Sequence, residues 1–469
     1  MARTCIICGG GTGSREHVFP ASLGGRRENK GIYCKTHNMA YSDLVQILSD
    51  QLAIFNAQLG VVGDHADGPT AVSVTDLASG QEIELSAKRS KFKGRQILGE
   101  KTEGDQTFTE MSFSTEKEAQ DWLAKERAKG VDIKFAGPGR KVNYYLGAAH
   151  KRITLGGNEE GMRSIAYIAQ TYLAVSFPEI ARRPELQALK DYTLLNRGSG
   201  FAWWDFDPPT VLPANKFPFG HRVIVGLDAE TNTAYARISL FSTLDFAIQL
   251  ASLPVDASHA VITDIDPLAP HARDDIHIWS DASAVGAVTK PENLSASLAE
   301  AIDNGRGQAQ IDELMRRIRA FELDKTSARI IADAGEAAAM SAPDREAVFA
   351  KILSHETQRI LNLVRYAAAG LKDRAIHPDE RRFVQFMEAA GAPDPSAENG
   401  LTVEATRALG IACSALARQM SEECKAGTLD QRRVAFLLGG TPGAATVCAA
   451  LLQEFKRTIS TRQSGKAFN

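Results

Sequence analysis

The sequence predicts an α+β protein in three parts: a small cysteine-rich N-terminal module, a mixed α/β middle domain and a mostly α-helical C-terminal domain. Three observations predict it. Cys5, Cys8, Cys34 and His37 crowd the N-terminus; strand-like runs flank polar turns in the middle; and from about Pro291 onward apolar residues recur at helical spacing. A chain of 469 residues exceeds what one hydrophobic core usually supports. The expected divisions are 1–60, 61–262 and 290–469.

Taken in order, Met39 to Leu59 alternates polar residues with Leu44, Val45, Ile47, Leu48, Leu52, Ile54 and Phe55, which predicts an amphipathic helix. Ala71 to Val74 and Glu82 to Leu85 read as strands, Thr115 to Gly130 as a helix. A second helix is expected over Glu159 to Phe177, with Ile165, Ile168, Ala169, Tyr172 and Leu173 along one face. His221 to Leu227 and Thr233 to Phe241, around Asp228 to Asn232, predict a β-hairpin. Asp264 to Asp275, rich in Asp, Pro and His, reads as a linker. Beyond it, stripes such as Ile311, Leu314, Met315, Ile318 and Phe321 predict packed helices.

Hydrophobic residues at 44%, charged residues at 24% and a net charge of −3 describe an ordinary globular chain with no overall attraction to polyanions. Any contact with a polyanion must therefore be local. The N-terminus lacks a basic-then-apolar leader pattern, so a cytoplasmic address is expected. Val434 to Leu452 is uncharged and approaches membrane-spanning length, but Gly439-Gly440-Thr441-Pro442-Gly443 interrupts it; two buried helices around a turn, and no membrane contact, are expected.

Cys5-Ile6-Ile7-Cys8 and Cys34-Lys35-Thr36-His37 are two ligand pairs, each with two residues between, the spacing at which a knuckle turn aims two donors at one tetrahedral Zn²⁺. The loop from Cys8 to Cys34 reads as poor in apolar residues, so this structural zinc is expected to supply most of its folding energy. Cys413, Cys424 and Cys448 lie scattered in an alanine-rich helical region and read as small core residues. His221, His271 and His277 have no partner at ligand spacing, and Trp203 and Trp204 read as core or interface aromatics.

Within the loop lie Glu16-His17-Val18-Phe19-Pro20, Gly24-Gly25 and Asn29, with Asn38 directly after His37. In these residues, about 5 to 45, the chain resembles the HNH (ββα-metal) endonucleases, whose acidic-His, hydrophobic-Pro, Gly-Gly and Asn elements interleave with zinc ligands in the same order. The resemblance implies a ββα-metal module that hydrolyses DNA phosphodiester bonds, with His17 as general base. Glu16 and Asn38 would be oxygen donors to one catalytic Mg²⁺ or Mn²⁺, and Asn29 would brace the loop and the catalytic imidazole. The catalytic set is then His17, Asn29 and Asn38, and Gly24-Gly25 supply the turn.

Two departures accompany the match. The fourth zinc ligand is His37 where many relatives have Cys, and the last position is Asn38 rather than His; a competing register would make His37 a ligand of the catalytic ion. Residues 1–41 carry six Lys or Arg against two acids, and Arg26, Arg27 and Lys30 are the expected phosphate contacts; the run Lys88 to Arg95 would extend them or form a solvated loop. The middle region is loosely similar to the accessory part of large bacterial HNH proteins, several of which act in anti-phage defence. That similarity implies a defence role with other subunits of such a system, while the HNH resemblance implies DNA as partner and paired cuts if the chain forms a homodimer. An RNA-directed nuclease and a zinc-stabilised binding subunit, active only with a partner, remain open.

Overall fold

The computed structural model describes residues 4–76, 80–87, 90–104, 106–134, 149–150, 158–209, 214–269, 274–279, 288, 290–372, 375, 377–391 and 401–465. The chain is mixed α and β. Its first elements are β1 (Glu16–His17), β2 (Glu28–Asn29), α1 (Lys35–Ala40), α2 (Ser42–Leu59), β3 (Ala71–Asp76), β4 (Glu82–Ser86), β5 (Ser90–Phe92), β6 (Gln96–Glu103), β7 (Gln106–Ser112), α3 (Glu116–Ala128) and β8 (Ala149–His150). The middle holds α4 (Glu159–Ser176), α5 (Gln187–Leu195), β9 (Ala202–Trp204), β10 (His221–Asp228), β11 (Thr233–Leu240), β12 (Leu244–Ser252), β13 (His259–Ile265) and β14 (Asp275–Trp279). The helices α6 (Leu294–Asp303), α7 (Arg306–Ala334), α8 (Ala342–Leu353), α9 (Thr357–Lys372), α10 (Pro378–Ala390), α11 (Val403–Lys425), α12 (Gln431–Gly439) and α13 (Thr441–Gly465) follow.

The chain divides into two compact units: Met1–Val74, Ile83–Lys93 and Lys151–Ile318 in one, Thr75–Glu82, Gly94–His150 and Arg319–Asn469 in the other. Residues 1–74 therefore share a unit with 151–318.

The first unit is organised around α4 and an antiparallel sheet of order β14-β13-β10-β11-β12-β9. The hairpin of β10 and β11 is present, with Val225 opposite Ala236, but it is the middle of a larger sheet. All eight residues of β10 are buried, so the strands lack the polar alternation that a half-exposed sheet would show. The expected linker is corrected at both ends: Asp264 lies in β13 and Asp275 in β14, while 270–273 and His271 fall outside the described residues. Asp264 is tolerated in a buried strand because it takes both Arg222 Nε at 2.6 Å and Nη2 at 2.7 Å, a two-pronged pair that satisfies each charge. Trp203 packs against the sheet core, and Trp204 stacks on Phe206 and meets Phe246 at a tilt, as core aromatics do.

Asn158 caps α4 by accepting from Gly161 N at 2.9 Å, and Glu159 and Glu160 sit in the first turn where the helix dipole favours them. The single apolar stripe expected for α4 is corrected: residues 161–174 are buried all round, apart from the partly exposed Arg163. Polar side chains on such a helix must find partners inside the protein. Ser164 donates to Leu44 O at 2.9 Å, Gln170 Nε2 donates to the hydroxyls of Tyr33 and Tyr41 at 3.2 Å, Thr171 bonds Tyr33 at 3.0 Å and Tyr167 O–H donates to Glu16. At helical spacing these residues form one seam, and the seam receives the N-terminal loop.

His221 fixes the same loop to the sheet. Its ring stacks on Phe19 at 4.9 Å and meets Phe241 edge-on at 4.6 Å, and Nδ1 accepts from Phe241 N at 3.2 Å. Burial holds the imidazole neutral, pushed down to about 3. The unfolded chain takes up this proton near 6.5, so stability is expected to fall as pH drops from 6.5 towards 3, by up to about 1.4 kcal/mol per pH unit. Urea unfolding at pH 7 and pH 4.5 should show this loss, and His221→Leu should flatten it; an unchanged slope would assign the loss elsewhere.

In the second unit, β6 and β7 form a hairpin, Thr115 caps α3, and the C-terminal helices share a core that includes Phe349, Val364, Met387, Leu416 and Leu437. Cys413, Cys424 and Cys448 pack at its edge, and burial pushes the Cys413 thiol up to about 11, which keeps it protonated at neutral pH. Helices α12 and α13 break at Gly440 and diverge by 55°, with Val434, Leu438, Val447 and Leu451 buried. No single helix among the described residues is long and apolar enough to cross a membrane.

Candidate metal centre

A tight turn opens the loop: Cys5 N donates to Gly10 O at 2.7 Å and Gly9 N donates to Cys5 O at 2.9 Å, with Gly9 at φ 70°. Ile6 N bonds Ile32 O at 3.0 Å, which brings the turn beside the segment leading into α1. Cys34 is the residue preceding α1, and His37 lies one turn along that helix. One donor atom each from Cys5, Cys8, Cys34 and His37 therefore falls within 4.8 Å of the other three. The separations are 4.0 Å for Cys8 Sγ to Cys34 Sγ, 3.6 Å for Cys5 Sγ to His37 Nδ1 and 3.2 Å for Cys34 Sγ to His37 Nδ1.

Those lengths decide what the cluster can hold. Four donors around a tetrahedral ion at about 2.3 Å for sulfur and 2.0–2.1 Å for nitrogen lie roughly 3.5–3.8 Å apart, and a disulfide needs S–S near ~2.05 Å. The cluster can bind a metal ion such as zinc and forms no disulfide. Burial opposes ionisation of Cys5, yet N–H groups of Cys8, Cys34 and Ile7 together with His37 bring its thiol down from 9.0 to about 6. At Cys8 the Gly10 N–H favours the thiolate, but burial and the neighbouring Cys5 raise it. Two thiolates this close need a cation between them.

The loop is anchored by more than its donors. Arg182 Nη2 donates to Thr4 O at 2.6 Å and Gly31 O at 3.2 Å, and Phe19, Leu23, Ile32 and Tyr33 are fully buried. The expectation that metal supplies most of the folding energy is corrected accordingly: apolar contacts with α4 and the sheet share that role. Gly24, at φ 90°, and Gly25 turn the chain between β1 and β2; a Cβ on Gly25 would lie 2.0 Å from Phe19 O.

In the β1–β2 pair Glu16 faces Asn29 and His17 faces Glu28, so Glu16 and His17 project to opposite sides. Glu16 points inward. Burial pushes its carboxyl up to about 7, with the Tyr167 hydroxyl on Oε1 opposing that rise. Asn38 Nδ2 donates to Ser14 Oγ at 2.8 Å and Arg15 O at 3.0 Å, beside the backbone that leads into Glu16. Since a carbonyl only accepts, this fixes the amide's orientation and leaves Asn38 Oδ1, like Glu16 Oε2, without a partner among the described residues.

His17 looks outward, with its side chain 17% exposed, and donor atoms of His17, Glu28 and His65 lie within 4.8 Å of one another. Its Nε2 bonds Asp64 Oδ2 at 2.9 Å, a contact that holds the Asp64 carboxyl below its ordinary value. Asn29 does not touch the imidazole. Its Oδ1 accepts from Gly31 N at 2.7 Å and braces the turn, while Asp64 orients His17.

Of the expected phosphate contacts, Arg26 is 13% exposed and committed to Val62 O at 2.5 Å and Asp64 at 3.5 Å, so it serves the fold. Arg27 is half-buried near Asp274, and Lys30 is exposed. Arg15, 66% exposed beside Glu28, is better placed for a polyanion. In the later basic run Lys88 and Arg89 lie outside the described residues, and Lys91 pairs with Glu84 at 3.4 Å. His277 bonds Asp275 at 3.3 Å. No family model, no curated protein and no solved structure matches this chain.

Proposed function

We propose that the chain is a zinc-stapled, metal-dependent endonuclease of the HNH kind, acting on DNA. The observation that carries this reading is the convergence of four donors, each within 4.8 Å of the others, around a β1–turn–β2–α1 segment that presents His17 outward, beside a carboxylate that orients it.

With Asp64 accepting a hydrogen bond from Nε2–H, the other ring nitrogen keeps a lone pair and can take a proton from water. The resulting hydroxide attacks phosphorus as the bond to the leaving oxygen breaks. Glu16 Oε2 and Asn38 Oδ1 are hard donors suited to Mg²⁺ or Mn²⁺. An ion held there would supply positive charge of the kind a developing phosphate oxyanion needs. A cation would also draw the Glu16 proton off near neutral pH, where the carboxyl is already half ionised. Arg15 and Lys30 supply exposed positive charge around the site.

Incubating the purified full chain with supercoiled plasmid and with labelled RNA, with and without Mg²⁺ or Mn²⁺, tests the proposal. Nicked circles that require the divalent ion are expected, since one site cuts one strand. Cleavage of RNA alone would redirect the substrate, and no cleavage of either would leave a zinc-held binding module.

A further inference from the structure

We propose that His17, Glu28 and His65 form a second metal site that takes a transition ion of the Zn²⁺ and Ni²⁺ class and, by occupying His17, holds the nuclease off. The inhibitory half rests on the nuclease reading above; the binding half stands without it.

The β1–β2 register places Glu28 directly opposite His17, so their side chains share one face of the hairpin. His65 reaches that face from the turn after α2, whose backbone is held by Arg26 on Val62 O at 2.5 Å and by Ala66 N on Gly63 O at 3.1 Å. Its ring stands edge-on to His17, centroids 5.2 Å apart, and a donor atom from each of the three residues lies within 4.8 Å of the others. None of them belongs to the cysteine cluster.

Donor chemistry sets the class of ion. Two imidazoles and one carboxylate suit Zn²⁺, Ni²⁺ or Cu²⁺, whereas Mg²⁺ favours an all-oxygen shell. Asp64, adjacent to His65 in sequence, bonds His17 Nε2, and a carboxylate on one imidazole nitrogen fixes the tautomer and makes the other nitrogen a better ligand. With Glu28 and His65 exposed, an ion can enter from solvent and complete its shell with water. Arg15 on Glu28 and Arg26 on Asp64, each at 3.5 Å, oppose a cation; Arg15 is exposed enough to swing away, and Arg26 is fixed on Asp64 rather than on a ligand.

An ion on His17 takes the lone pair that hydrolysis needs. Magnesium would then support cutting, and a transition ion at His17 would oppose it.

Equilibrium dialysis of the zinc-loaded full chain against Ni²⁺ tests the site. One nickel per chain beyond the zinc is expected, and His65→Ala and Glu28→Gln should each weaken it by at least ~10-fold while zinc content stays unchanged. No nickel in the wild type, or equal binding in both variants, overturns the proposal. In Mg²⁺-supported nicking, Ni²⁺ should stop the wild type and spare His65→Ala; equal inhibition overturns the inhibitory half. If no protein nicks under any condition, the nuclease reading falls and takes that half with it, while the dialysis still decides the site.

Discussion

His17→Ala is expected to lower plasmid nicking by about 10²- to 10⁴-fold, the usual contribution of a positioned general base, while zinc content and unfolding stay as in the wild type. The fold should tolerate the change because the ring is partly exposed and its one hydrogen bond among the described residues is to Asp64, 30% exposed itself. Asp64→Asn offers a graded companion: the imidazole would keep its place on β1 but lose the group that sets its tautomer, so a smaller loss is expected. Full activity in His17→Ala would remove the imidazole from the chemistry.

Cys34→Ser should have the other large effect, on the metal itself. Zinc affinity should fall by well over the ~100-fold that losing a ligand's hydrogen-bond partner typically costs, because one of four donors is gone and the remaining thiolates lose their shared cation. Unfolding of the whole first unit is not expected. Phe19 on His221, Tyr33 on Gln170 and Thr171, and Arg182 on Thr4 and Gly31 hold the loop from the α4 and sheet side. Hydrogen exchange should therefore quicken around residues 4–13 and 34–40 and stay slow in α4. Exchange that quickens through the whole unit would show that zinc carries the fold.

Local features were legible in the sequence and long-range ones were not. The two donor pairs could be read because a knuckle turn is set by spacing over four residues, and the Gly24-Gly25 turn for a similar reason. The C-terminal helices announced themselves through apolar periodicity, which survives because each keeps a wet face. Strands β12 and β13 did not, since burial on both faces erases the alternation that marks a strand, and Asp264 looked like linker because nothing local reveals Arg222 across the sheet. The same limit applies at the site. Asp64 and His65 meet His17 from 47 and 48 residues away, after a helix, and Tyr167 reaches Glu16 from 151 away. The one sequence signal was an Asp-His pair in the Gly- and Asp-rich turn after α2, which carries weight only once α2 is folded back against α4. Asn29 was placed correctly on the hairpin but brackets its own turn, because an Asn at a strand end bonds a backbone N–H two residues on more readily than a distant ring.

The zinc staple at this site depends on Cys5, Cys8, Cys34 and His37 sharing one ion. X-ray absorption at the zinc edge of the purified full chain addresses that directly: the account predicts one zinc per chain with three sulfurs at about 2.3 Å and one nitrogen at about 2.0–2.1 Å. A folded protein free of zinc, or a zinc surrounded only by nitrogen and oxygen, would contradict it.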